Sequence, residues 1–247
     1  MKWTSQIIRE KSLPEDYRKK YGPESDYQKA QKILYSNPDI KRSLKQALKW
    51  MRFSPGDHLL DIGVNNGYEL KFIQKKIGKK PFKNLNIIVC DLIEDSLKDA
   101  ADTYKDYPKI RFIKGDIRKF QGKDVVSGKR RRIRNNSIDI IVAITSISST
   151  SLRKGIKRFV KDLNEKLKRE SQLLIAIPNC HTTARGRVRR GVWDPKKRSA
   201  DYAFASAFSE KVIKEFSHYR FSVKRIGTNF WFYYFYRWNT KTETASR

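Results

Sequence analysis

The segment Leu59-Leu60-Asp61-Ile62-Gly63-Val64-Asn65-Asn66-Gly67-Tyr68-Glu69-Leu70 constrains the fold more than any other part of the chain. Leu59, Leu60 and Ile62 form the short apolar run of a strand buried in a parallel sheet. Gly63 and Gly67 permit backbone angles and close approaches that a Cβ would block. Leu70, Phe72, Ile73 and Ile77 then recur at helical spacing until Gly78 stops them. A strand, a tight turn and a helix start, in that order, direct free backbone N–H groups at a ligand.

Four more strand patterns strengthen this reading. A second apolar strand, 87–90, ends in Asp91. That acid lies roughly 20–30 residues after the turn, near the spacing at which nucleotide-binding α/β folds hold ribose hydroxyls. A third strand, 110–113, leads into Gly115-Asp116-Ile117. A fourth, 138–144, ends at Thr145-Ser146, and a fifth, 173–177, at Pro178-Asn179. Helical patterns fall between them, among them 94–104 and 152–167. This alternation predicts an α/β fold built on a doubly wound parallel sheet. Residues 220–227 and 229–238 read as two further strands around Gly227-Thr228, which makes seven. The aromatic run from Phe230 to Tyr236 predicts a strand buried on both faces.

Over roughly residues 55–237 the chain resembles the class I, Rossmann-like S-adenosylmethionine-dependent methyltransferases. Asp61-Ile62-Gly63-Val64-Asn65-Asn66-Gly67 is similar to their first motif, an acid followed by a glycine-rich turn. Asp91 stands where the family's ribose-binding acid ends the second strand, and Gly115-Asp116-Ile117 is similar to the acidic motif beside the adenine. The resemblance implies a mostly parallel seven-stranded sheet with an antiparallel last strand. It implies S-adenosyl-L-methionine as cofactor, bound by Asp61, Gly63, Asn65, Gly67, Asp91, Leu92, Asp116, Ile117 and Ala143. The chain departs from the family at Asn65, where another glycine is usual; Asn tolerates left-handed backbone angles better than most residues. A dinucleotide-dependent dehydrogenase shares this topology but favours G-x-G-x-x-G, and this turn holds only Gly63 and Gly67.

The net charge of +29, from 55 Lys and Arg against 26 Asp and Glu, would attract polyanions, RNA first among them. A proteome rich in Lys and Ile would produce the same total. Two local runs favour the nucleic-acid reading. Residues 118–134 hold Arg118, Lys119, Lys123, Lys129, Arg130, Arg131, Arg132 and Arg134 against Asp124. Residues 180–200 hold Arg185, Arg187, Arg189, Arg190, Lys196, Lys197 and Arg198 against Asp194. Both segments read as loops, the first as a long connection or a surface hairpin, and Arg suits bidentate phosphate contact. Cys90 reads as packing within the second strand. Cys180 follows the fifth strand, where some cytosine-C5 RNA methyltransferases keep a nucleophile, but its neighbours do not reproduce their signature. No Cys/His spacing suggests a metal. The chain has no apolar run of membrane length, and Met1 to Gln6 lead into no signal-peptide core, so a cytoplasmic protein without a membrane partner is expected.

The expected organisation is a helical cap over residues 1–54, a methyltransferase domain over 55–238, and a flexible tail over 239–247. Within the cap, the helix at 38–53 is expected to cover one sheet face. An insertion at 180–208 would overhang the site, because open α/β sheets bind ligands beyond the carboxyl ends of their strands. It interleaves Trp193, Tyr202, Phe204 and Phe208 with basic residues. Thr145, Arg187, Arg190, Trp193 and Tyr202 are the candidate substrate contacts. No residue is singled out as a general base, because methyl transfer from a sulfonium chiefly needs alignment. The fourth strand ends in Ala143-Ile144-Thr145-Ser146, which lacks both the Asn/Asp-Pro-Pro-aromatic motif and the Asp of ribose 2′-hydroxyl methyltransferases. RNA is the first expected substrate and a small molecule methylated on O or N the second. A non-catalytic RNA-binding protein on the same fold is the third reading.

Overall fold

The structure, a computed structural model, describes residues 38–63, 67–144, 155–178, 212–226 and 230–237. Among them run, in chain order, α1 (Pro38–Trp50), β1 (His58–Ile62), α2 (Tyr68–Ile77), α3 (Lys79–Lys83), β2 (Asn86–Asp91), α4 (Glu94–Thr103), β3 (Ile110–Lys114), β4 (Gln121–Asp124), β5 (Arg130–Arg132), β6 (Ile138–Ile144), α5 (Ile156–Lys166), β7 (Leu167–Pro178), a helical segment α6 (212–217), β8 (Ser222–Ile226) and β9 (Phe230–Arg237). The strands form one sheet in the order β5-β4-β3-β2-β1-β6-β7-β9-β8.

Alternation along each strand sends side chains into two apolar layers. Leu59, Ile87, Val89, Phe112, Ile140, Val142, Leu174 and Tyr234 face one layer, closed by Leu44, Ala47 and Leu48 of α1, Leu70 and Ile73 of α2, and Leu97 and Ala100 of α4. Leu60, Ile62, Cys90, Ile141, Ala143, Leu173, Ile175 and Phe235 face the other, closed by Phe159, Val160 and Leu163 of α5 and by Phe216. Each such side chain withdrawn from water contributes about 1.5–3 kcal/mol before chain entropy is charged against it. The aromatic run of β9 obeys the same alternation: Phe232 and Tyr234 enter the first layer, Tyr233 and Phe235 the second.

The described part of the expected cap, α1, covers the sheet face over β8 and β9. Its end is tied down twice. Lys76 of α2 donates to the Leu48 and Met51 carbonyls. Gln172 of β7 accepts from the Arg52 N–H at 3.0 Å and from the Tyr234 hydroxyl at 3.1 Å.

The expected seven strands become nine, and the expected mostly parallel sheet is mixed. Four neighbouring pairs are parallel and four antiparallel. The antiparallel last strand is present as β9, between β7 and β8. The extra pair comes from residues 118–137, where a hairpin, β4–β5, joins the edge at β3. Gly115 and Gly122 make this possible: a Cβ on Gly122 would lie 2.2 Å from the Lys114 carbonyl oxygen, and one on Gly115 would lie 2.3 Å from that of Gln121. The Asp124 carboxylate accepts the Val126 and Ser127 N–H groups at 3.0 Å and closes the turn. β7 begins at Leu167, six residues before the apolar run, because the polar stretch Lys168–Gln172 continues the ladder past a register shift near Ile138.

Candidate functional site

Parallel pairing brings the carboxyl ends of β3, β2, β1 and β6 side by side. From β1 the chain proceeds outward to β2 and β3, then returns to β6 on the other side. The switch point of the sheet, where α/β sheets take ligands, therefore falls between β1 and β6. Two backbone bonds tie neighbouring strand ends together: the Gly63 N–H donates to the Cys90 carbonyl at 2.8 Å, and the Gly115 N–H to the Asp91 carbonyl at 2.9 Å.

Gly63 has φ 86° and Gly67 has φ 72°, both left-handed. Gly67 is the N-cap of α2, and a Cβ there would lie 3.0 Å from Cε2 of Tyr104. The Tyr104 hydroxyl donates to the Gly67 carbonyl at 3.2 Å. Burial, and then the nearby Asp61 and Glu69, push the Tyr104 phenol above its ordinary range, so it stays a neutral donor.

The ends of β1 and β2 and the first turn of α2 bring three acids together. Asp61 is fully buried, and among the described residues neither of its carboxylate oxygens accepts a hydrogen bond. Glu69, in the first turn of α2, is 1% exposed. Burial first, then Glu69, then Asp91, raise the Asp61 carboxyl well above the ordinary carboxylate range. Asp91 ends β2, and one of its oxygens accepts the Ile93 N–H at 2.8 Å, which fixes the carboxylate where the chain enters α4. A crowded, desolvated acidic group of this kind is a strained element of the fold that a cationic or hydroxyl-bearing ligand would relieve.

Asp61, Gly63, Gly67 and Asp91 thus stand near the carboxyl ends of β1 and β2. Asp116 follows Gly115 at the end of β3, and its charge, after burial and Asp91, raises the Cys90 thiol. Leu92 is half-buried after β2. Ile117 packs on the second layer and opens a short 3-10 turn. The Ala143 side chain lies wholly inside that layer, so what Ala143 offers a ligand is backbone. Asn65, Thr145, Cys180, Arg187, Arg190, Trp193, Tyr202 and the rest of the 180–208 insertion lie outside the described residues. Sequence reasoning missed Glu69 and Tyr104. A Glu in the first turn after a glycine turn was a usable signal for Glu69, whereas nothing local marks Tyr104, 37 residues from its partner Gly67. Among the described residues no group of three or more His, Cys, Asp or Glu could hold a metal, and no helix is long and apolar enough to cross a membrane.

No protein-family model and no curated protein matches the chain by sequence. Solved structures do match its fold. One is a SAM-dependent methyltransferase from Aquifex aeolicus, with TM-score 0.51 and 15% identity, covering 84% of this chain and 97% of that one. The CurJ carbon methyltransferase matches with TM-score 0.61 and 14% identity over 90% of this chain and 61% of that one. The small RNA methyltransferase HEN1 matches with TM-score 0.54 and 18% identity over 85% of this chain but 26% of its own. By these matches the chain has the fold of the class I S-adenosylmethionine-dependent methyltransferases.

Proposed function

We propose that this chain is an S-adenosylmethionine-dependent methyltransferase acting on RNA. The observation that carries the methyltransferase reading is the buried Asp61 carboxyl, two residues before the left-handed Gly63 and on the strand beside Asp91, which lies two residues beyond Asp61's partner Val89. These residues fit an adenosyl donor: Gly63 would bring bare backbone up to it, and Asp61, Glu69 and Asp91 would hold its cationic and hydroxyl groups. When bound, the donor supplies a methyl group already activated by a positive sulfur. The protein's own contribution is to orient and to exclude water. The Gly63–Cys90 and Gly115–Asp91 backbone bonds hold the strand ends in register.

Support for RNA comes from the exposed basic hairpin beside the site and from the net charge of +29. Candidate acceptor-side contacts remain Thr145, Arg187, Arg190, Trp193 and Tyr202. A small-molecule acceptor is the second reading. It is favoured by the match to the N-methyltransferase NodS from Bradyrhizobium japonicum WM9, whose fold this chain spans almost completely, at TM-score 0.51, 14% identity and 99% of that chain. The test is incubation with methyl-labelled donor and either total RNA or a metabolite extract. Label in RNA is the expected result. Label only in the extract establishes the second reading, and a protein that binds no donor at all overturns both.

A further inference from the structure

The β4–β5 hairpin has two unlike faces. Phe120, Asp124 and Ile133 turn toward the second apolar layer and are buried, with Phe120 stacked on Phe159 of α5 at 6.5 Å. On the opposite face Lys123 pairs with Arg130 and Gln121 with Arg132, and all four are exposed. The ladder continues this face inward: Arg130, Lys123, Lys114 and Asp91 stand at one register level on four successive strands. Lys114 is neutralised by Glu94 at 2.8 Å. Among the described residues no ion pair neutralises Lys123, Arg130 or Arg132. Like charges directly opposite each other destabilise a strand pair, so nothing in the folding of the hairpin accounts for this row. Among the described residues no aromatic side chain is exposed beside it, since Phe120 points inward. The row therefore has phosphate contacts to offer and no stacking platform for bases.

We infer that the open face of the β4–β5 hairpin is a docking surface for the phosphate backbone of an RNA whose reacting nucleotide lies elsewhere. This rests on the RNA reading of the substrate. From β6, at the switch point, to β5 are five strand spacings, roughly 24 Å at about 4.8 Å each, or about seven stacked nucleotides at about 3.4 Å. The hairpin thus touches only an RNA long enough to reach it, without regard to sequence. It lowers KM and leaves the transfer step alone.

The test compares the triple variant Lys123→Glu/Arg130→Glu/Arg132→Glu with wild type and with a control of equal charge change, Lys75→Glu/Lys79→Glu/Lys80→Glu. The control lysines are exposed and stand near the amino ends of the strands. Binding is read with an RNA stem-loop of about 20 nucleotides and with an RNA of about two, shorter than the roughly 24 Å gap even when fully extended. The hairpin triple is expected to lower the slope of log affinity against log salt for the long RNA by about 2–3. It is also expected to raise KM at least about tenfold with kcat within about twofold, to leave the short RNA near the control, and to leave donor affinity unchanged. Equal losses in the two triples overturn the inference, as does an equal loss with the short RNA. Binding of wild type to phosphatidylserine vesicles more tightly than to RNA, lost in the hairpin triple, assigns the face to a membrane surface and overturns it as well. Hairpin-dependent RNA binding by a wild type that labels no RNA supports the docking surface and sinks only the substrate reading above.

Discussion

Two groups of charge lie roughly 14 Å apart across the sheet, three strand spacings of about 4.8 Å, and the fold treats them in opposite ways. Asp61 and Glu69 are withdrawn from water at the end of β1 and the start of α2, where low dielectric makes their mutual repulsion expensive. Lys123, Arg130 and Arg132 repel one another in water, where the same repulsion is screened. The acids therefore report a site of fixed geometry, with affinity set by a few contacts. The cations report a surface that acts through its field and through counterion release. If this contrast holds, substitutions at the first group should act steeply and specifically, and those at the second weakly and in a salt-dependent way.

The largest effect belongs to the turn. Gly63→Val places a β-branched side chain at φ 86°, a left-handed angle that such residues avoid, at the turn where the donor is proposed to lie. Donor affinity measured by calorimetry should fall more than about a hundredfold, equivalent to about 2.7 kcal/mol, while circular dichroism still shows one cooperative transition. Normal binding would make the turn structural. Asp91→Ala comes next. Removing a charged hydrogen-bond partner costs about 1.5–3 kcal/mol, so the donor should bind about ten- to a hundredfold more weakly. Equal affinities would remove Asp91 from the site.

Asp61→Asn separates strain from binding. The Asp61 carboxyl, ordinarily near 3.8, is raised well above that in the folded chain. Between the two values the folded state binds more protons than the unfolded. Its contribution to stability is therefore complete below about 3.8 and is lost as pH rises through the folded value. The Asn variant should lose this dependence. At pH 4 it should melt with wild type, and at pH 8 it should melt higher, by at least about 2–4 °C, the shift that about 1 kcal/mol gives in a domain of this size. Donor affinity should move the other way and weaken. Parallel melting curves across that range would show that Asp61 is not strained.

How far the sequence disclosed these two regions differs for a physical reason. The glycine turn is local: Leu59 to Ile77 fix strand, turn and helix within one segment, and α2 ends at Ile77 with Gly78 as its cap. The strands ending at Asp91 and Ile144 were equally plain, because each is an apolar run closed by a polar residue. The hairpin was not legible as sheet. Its β5 is Arg130-Arg131-Arg132, which carries no apolar signal, and the pattern that buries it is spread over Phe120, Asp124 and Ile133. Its pairing also depends on Gly115 meeting Gly122 across two strands, which is a tertiary fact. The Tyr104–Gly67 bond is hidden in the same way, since it joins the end of α4 to the start of α2.

The smallest effect tests the exposed half of the contrast through stability. Lys123 faces Arg130 directly across the hairpin, and Lys114 stands on its other side. Lys114 has its own counter-charge in Glu94, whose carboxyl is drawn down to about 2 by hydrogen bonds from Lys114 and Lys98. Both partners are exposed, so that pair adds little to stability. Lys123 is left against a like charge. Replacing it with Gln keeps the stem of the side chain and removes the repulsion, which for a directly opposed pair is about 0.2–1 kcal/mol. The variant should therefore unfold at a slightly higher urea midpoint than wild type in low salt. The gain should vanish near 1 M salt, where the Debye length falls to about 3 Å. RNA binding by the same variant should weaken, with its salt slope shallower by about 0.7–0.9. A residue whose removal stabilises the fold and weakens polyanion binding is retained for the partner, as Asp61 would be for the donor. A Lys123→Gln variant that is less stable in low salt would show that the cation row holds the hairpin together, and the two regions would then no longer differ in kind.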